Sequence, residues 1–338
     1  MQTVEPRYRN SRSTRSLTRV PFLLASIFAV TMGITSLFYS RGFPERGAVL
    51  LERLEVPYPA VVAHRGASTV APESTRSAYE RASAEGADYL EADLRRTADG
   101  RIVVFHDSTL RRTSNVEELF PGRARQAIGT YTYEELERLD FGSWFNKKHP
   151  LRREESYEGL SILTLKELLR LAEEAEGSSG LVLEIKEPAK YPGIEEDILQ
   201  ILKEEGWVDS SGAPMREGSL IFFSFSLESL LRLRQLAPRI PRVFLISGEM
   251  ISWMRWHRWV RRVSPVVDGV GAKGFLSWPW YIGAAHNRGL FVLPYVVNEF
   301  WQIKLLAEHS ADGYITDRPD FARTFVERAR PPEDNESE

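Results

Sequence analysis

Residues 89–107, YLEADLRRTADGRIVVFHD, hold two apolar runs joined by a tight turn. Side chains alternate along a strand, so Glu91 and Asp93 share one face while Leu90, Ala92 and Leu94 share the other. Asp99-Gly100 is a strong hairpin signal. The run 102–106 therefore returns antiparallel, because a parallel neighbour would need a long crossover. Outward from this stretch, short β-branched or apolar runs alternate with helix-patterned segments, the mark of βα units around a parallel sheet. Eight barrel strands are predicted at 60–64, 89–94, 181–186, 220–224, 243–246, 267–271, 291–296 and 313–316. The expected fold is α/β, a TIM (β/α)8 barrel over residues 59–330. Its hairpin and loop insertion follow the second strand, with 107–160 read as the loop and 164–176 as the next helix. An acidic tail, 331–338, has the composition of a disordered segment.

The 338 residues are 43% hydrophobic and 27% charged, ordinary for one large globular core. A formal charge of −3 gives no positive field for nucleic acid, and no obligate protein partner is expected. The chain has no cysteine, which excludes disulfides, thiolate metal sites and cysteine nucleophiles. No G-x-S-x-G elbow occurs, which argues against a serine hydrolase. The run 20–39 carries no charge and at helical rise spans roughly 30 Å, so a transmembrane helix is predicted there. Arg7, Arg9, Arg12, Arg15 and Arg19 precede it against Glu5 alone. That bias keeps 1–19 cytoplasmic and puts the catalytic domain outside, on a single-pass membrane protein. The segment 40–58 is read as a juxtamembrane linker. A cleaved signal peptide is the plainer alternative, but the run is long and its end lacks a small-residue cleavage site.

The strand 181–186 repeats the alternation of the second one, with Glu184 and Lys186 facing inward. Three inward carboxylates, Glu91, Asp93 and Glu184, exceed what Lys186 neutralises, and unpaired buried charge is costly. One divalent cation restores the balance, and all-oxygen ligation points to Ca²⁺ or Mg²⁺. The first strand ends in His64-Arg65-Gly66 and the hairpin returns in Phe105-His106-Asp107. Both histidines then fall at the C-terminal mouth, where barrels place catalysis. Either could be a hydrogen-bonded structural residue, yet a pair there can act as acid and base. Arg65 offers a planar fork for phosphate oxygens.

These motifs taken together resemble the glycerophosphodiester phosphodiesterase family. His64-Arg65-Gly66, Pro72 to Thr75, Glu91-Ala92-Asp93, Thr97 to Gly100, His106-Asp107 and Glu184-Ile185-Lys186 follow the family's order. Weaker echoes run through Asp140-Phe141-Gly142, Ser224-Phe225, Val297-Asn298 and Thr316-Asp317-Arg318-Pro319, so the resemblance covers residues 59–326. It implies a TIM barrel that cleaves deacylated phospholipid diesters to glycerol phosphate and an alcohol. By motif it implies Glu91, Asp93 and Glu184 as metal ligands, His64 and His106 as the acid/base pair, and Arg65 as phosphate clamp. Lys186, Tyr295 and Asn298 are expected to join Arg65 in binding substrate. Two departures stand out: Ser74 replaces an Asn, and Tyr295 stands where Trp is common, which bears on the leaving group.

Two rival functions remain at this level. One is a phospholipase D-like activity on lysophospholipids or sphingolipids, the other a silent, membrane-tethered binding protein. The segment 250–263 gathers Trp253, Trp256, Trp259, Val260 and Val263 on one arc and Arg255, Arg258, Arg261 and Arg262 on another. It reads as a barrel helix with its tryptophans inward, or as a helix resting on a bilayer.

Overall fold

The computed structural model describes residues 44–174, 179–250, 253–274 and 277–329. The predicted anchor 20–39, the basic segment before it and the tail 331–338 lie outside the described residues. Among the described residues, no helix is long and apolar enough to cross a membrane.

Eight parallel strands form the ring. They are β1 (Ala60–His64), β2 (Tyr89–Arg96), β4 (Gly180–Ile185), β5 (Leu220–Ser224), β6 (Arg242–Ile246), β7 (Gly269–Ala272), β8 (Phe291–Val292) and β9 (Gly313–Thr316). Their order is β8-β7-β6-β5-β4-β2-β1-β9, with β3 (Ile102–Val104) antiparallel to β2 outside that path. The hairpin reading thus holds, and the ring skips from β2 to β4. No paired ladder joins β8 to β9. Backbone hydrogen bonds from Asp312 N to Val292 O (3.0 Å) and from Ile315 N to Pro294 O (3.0 Å) all but close the ring there. β8 is shorter than its predicted 291–296 because Pro294 has no N–H for a ladder. Tyr295 N still reaches Ala272 O at 2.9 Å, so the chain stays in the wall.

Alternation sorts the side chains as expected. Leu90, Ala92 and Leu94 of β2, with Leu181, Leu183 and Ile185 of β4, pack outward against the helices. Val62, Val182, Ile221, Val243, Leu293 and Ile315 point inward and fill the lower barrel. The register pairs His64 with Glu91 and Asp93 with Glu184, which lines up the chemistry-bearing residues at one height.

Two expectations need correction. The part of the expected linker that is described is not a free tether: 44–52 is a helix, Pro44–Glu52, and Leu51 and Val56 are buried in the lower-barrel core. Arg46 Nη1 bonds Asn287 Oδ1, and Gly218, just before β5, packs on the Glu55 backbone, so this helix seats on the floor where the strands begin. Gly47 makes the close approach possible, since a Cβ there would stand 1.6 Å from Asp312 Oδ1. Nor is the insertion 107–160 an open loop. It folds Val116–Leu119, Tyr133–Glu137 and Ser143–Lys148 into short helices over a satellite core that includes Phe105, Leu110, Ile128, Tyr131 and Phe141. Its apolar and aromatic residues supply that core, which composition alone understated.

In the helix Trp253–Val263 the inward reading prevails. Trp256, Val260 and Val263 are fully buried, and Trp256 donates to Tyr281 O at 3.2 Å. Trp259 stacks on Phe244 with ring centroids 5.5 Å apart. Arg258, Arg261 and Arg262 face solvent. Trp253 and Arg255 are without a described side-chain environment.

Candidate active site

The mouth is assembled from the ends of β1, β2 and β4. After His64 the chain turns through two left-handed residues, Arg65 (φ 57°) and Gly66 (φ 86°). A Cβ at Gly66 would lie 2.5 Å from the Ala78 backbone, so glycine alone lets this turn rest on the helix Arg76–Ala84. Thr75 caps that helix, accepting from Ala78 N at 3.4 Å. The turn aims Arg65 across the mouth. Its backbone N–H donates to Glu91 Oε2 at 3.0 Å, and its Nε lies 3.2 Å from Asp93 Oδ2. Lys186 Nζ is 3.3 Å from Asp93 Oδ1 and 2.6 Å from Glu184 Oε1.

Glu91, Asp93 and Glu184 are all buried, and one oxygen from each lies within 4.8 Å of the others. Their electrostatics are unequal. Burial, then Asp93 and Glu184, hold the Glu91 carboxyl well above the usual carboxylate range. Burial and Asp93 push Glu184 up to about 7 against the pull of Lys186. Burial works the same way on Asp93, but Lys186 and Arg65 overcome it and hold Asp93 below the ordinary value. Both Asp93 oxygens and Glu184 Oε1 are buried, and they meet only the Arg65 and Lys186 ion pairs, with no further hydrogen-bond donor. Oxygen donors this close, underused and of like charge fit a hard divalent cation.

Each histidine is held by a carboxylate through Nδ1. His64 meets Asp317 Oδ1 at 2.7 Å and His106 meets Asp107 Oδ1 at 2.6 Å. Such a bond fixes ring orientation and leaves Nε2 for exchange with a substrate. Burial lowers the His106 value from its ordinary one, with Asp107 opposing. Asp107 in turn takes Arg112 Nε at 2.6 Å, and Arg112 Nη1 and Nη2 grip Glu73, which also receives Arg65 Nη1 at 2.8 Å. One run of alternating charges therefore links the support of His106 to Arg65 and the acid cluster.

A cavity of about 520 Å³ opens above, lined by His64, Arg65, Glu91, His106, Glu184 and Lys186 on this side. Asp93 is buried and is not part of the lining. Tyr295 also lines it, but its hydroxyl donates to Ile246 O at 2.9 Å, so the ring is what it presents. Asn298, expected to bind substrate, is not in the lining. Its Nδ2 donates to Asp317 Oδ2 at 2.6 Å and its Oδ1 accepts from Asp317 N at 2.9 Å, so its short amide is spent on fixing the carboxylate behind His64. Residues not foreseen as functional include Asp317, Glu73, Arg112, Phe225 and Lys273. Asp317 and Glu73 sit inside motifs already noted, whereas Arg112 and Lys273 carry no sequence signal.

A family model described as the glycerophosphoryl diester phosphodiesterase family matches residues 64–321. A glycerophosphodiester phosphodiesterase of Bacillus subtilis is 30% identical over 299 residues, covering 88% of this chain and 96% of the relative. One from Caldanaerobacter subterraneus is 30% identical over 274 residues, covering 79% and 98%. Among solved structures, an Oleispira antarctica phosphodiesterase in complex with the product sn-glycerol-3-phosphate superposes with a TM-score of 0.64 at 25% identity, covering 80% of this chain and 97% of that one.

Proposed function

The chain belongs to the glycerophosphoryl diester phosphodiesterase family, and from that membership we propose that it hydrolyses glycerophosphodiesters to glycerol phosphate and an alcohol. The observation that carries the reading is the buried Glu91, Asp93 and Glu184 triad beside two carboxylate-held histidines at one mouth. In this reading the three carboxylates hold one divalent cation, Ca²⁺ or Mg²⁺, which when bound neutralises charge on the diester as a Lewis acid. Arg65 and Lys186 orient the phosphate oxygens and oppose the charge that grows on them. One histidine removes a proton from the attacking oxygen at its Nε2, and the other delivers a proton to the departing alkoxide. Asp317 and Asp107 keep the rings aligned and stabilise them when protonated.

We also propose that the run 20–39 anchors the chain. The described chain begins at Pro44 on the barrel floor, and only residues 40–43 separate it from that run. Four extended residues reach at most about 14 Å. An anchor so close turns the floor toward the bilayer and the mouth toward water. That supports a water-soluble, deacylated substrate over the phospholipase D-like alternative, whose substrates stay in the membrane. Full-length protein with Mg²⁺ or Ca²⁺ is expected to release glycerol phosphate from glycerophosphocholine and to leave lysophosphatidylcholine intact. Turnover of the lysolipid alone would replace this reading with its rival, and turnover of neither would leave the silent binding protein. In cell fractionation, the full chain is expected in the membrane pellet and a chain lacking residues 1–40 in the supernatant. Recovery of the full chain in the supernatant would remove the anchor.

A further inference from the structure

The active-site cavity has two chemically different sides. Glu91 and Glu184, the carboxylates that line it, come from β2 and β4. β7 stands four strands away from β2 in the ring of eight, which is the opposite wall. Lys273, the residue after β7, lines the cavity there and is exposed to it. Among the described residues its ammonium has no hydrogen-bond or carboxylate partner; only its backbone oxygen is engaged, by Ser277 Oγ at 3.5 Å. The cationic residues on the acid side are all paired.

The rest of that wall offers donors and apolar surface. Gln302 spends its amide oxygen on the backbone N–H groups of Asn298 (3.2 Å) and Glu299 (3.3 Å), so its NH₂ is what remains for a ligand. The Glu299 carboxylate is committed to the same helix cap. Tyr295 has spent its hydroxyl on Ile246 O. Phe225, another ring of the lining, already has Lys186 Nζ 5.8 Å from its centroid. Glu249 follows Gly248, where a Cβ would lie 3.9 Å from Lys273 Cδ, but it is exposed and forms no ion pair with Lys273. On this wall the lining residues Lys273, Gly274, Tyr295, Val296 and Gln302 include no carboxylate, so a quaternary or primary ammonium entering here would meet the Tyr295 ring and would face Lys273.

We propose that Lys273 determines specificity: the arm of the diester that crosses the cavity to the β7 side carries an anionic group, a phosphate or a carboxylate, which Lys273 holds. The inference rests on the phosphodiesterase reading above and narrows its substrate class. Like charges at close range penalise the wrong partner more than a single screened contact rewards the right one. Glycerophosphocholine is therefore accepted but disfavoured.

The test compares kcat/KM of the full chain on four glycerophosphodiesters. Their second alcohols are choline, glycerol, glycerol phosphate and glycerate, so the last two separate phosphate from carboxylate as the anion. The ratio of an anionic arm to choline is expected to be about tenfold or more in the natural protein, the scale of one partly screened charge pair. It should fall by about tenfold in K273Q, persist in K273R and invert in K273E. Added salt should lower the rate on the anionic arms more than on the glycerol one. A choline preference in the natural protein, or a ratio unmoved in K273E, overturns the assignment of Lys273 while the activity stands. No turnover of any of the four overturns the activity reading and this inference with it.

Discussion

Alanine at His106 or at His64 is expected to lower kcat by about 10²–10⁴-fold, the usual worth of a positioned proton-transfer group. Both rings reach the same cavity, and both are fixed through Nδ1, so each presents a single nitrogen. Removing the ring deletes the exchange itself. Metal affinity should stay within a few-fold of the natural protein, since neither histidine belongs to the carboxylate triad. Replacing Asp317 with Asn should cost less, because Nδ1 loses its anion while the cavity keeps the imidazole. Single-turnover kinetics alongside calorimetric metal titration measures both quantities. A histidine variant that retains near-natural kcat would show that another group moves the proton.

Chelation of divalent metal should abolish turnover, and Glu184→Ala or Asp93→Ala should do the same by weakening metal binding. Six carboxylates at the mouth, Glu73, Glu91, Asp93, Asp107, Glu184 and Asp317, contact three permanent cations, Arg65, Arg112 and Lys186, and Lys273 on the far wall pairs with none of them. Without metal, burial and Asp93 push Glu184 up to about 7, so a proton competes for the same oxygen. Affinity for the ion is therefore expected to rise as pH is raised through about 7. Stability of the metal-free fold should move the opposite way. The folded state retains protons on Glu184 and Glu91 that the unfolded chain has already released, so stability is full below the ordinary carboxylate range and declines as pH climbs through about 7. Added metal should remove that decline. Full activity in EDTA, or unchanged metal content in Glu184→Ala, would dismiss the triad as the metal site.

Several parts of the site were legible because they depend only on strand periodicity. Glu91 and Asp93 are two residues apart, as are Glu184 and Lys186, and in a strand that spacing puts each pair on one face whatever the distant chain does. The Asp99-Gly100 turn is equally local, so the return of β3 across the mouth could be read from its few residues. The motif resemblance added the acid/base roles proposed for His64 and His106, which spacing alone left open. That Asn298 stands outside the lining and holds Asp317 was not legible, because those hydrogen bonds depend on how the loop after β8 meets the end of β9, not on its own neighbours.

Periodicity and turn chemistry in this sequence were thus enough to determine the eight strands, the hairpin and the inward carboxylates, since each follows from φ/ψ and side-chain alternation over a few residues. Closure of the ring decided the rest. Asp317 stands behind His64 although 253 residues separate them, because β9 pairs with β1. Arg112 reaches Glu73 only once the insertion has folded over its own apolar core, and Lys273 faces the acid cluster only because four strands of ring set β7 across from β2. The helix Pro44–Glu52 became part of the floor for the same reason: the interior beneath the acids is apolar and open at one end, and Leu51 and Val56 cover it.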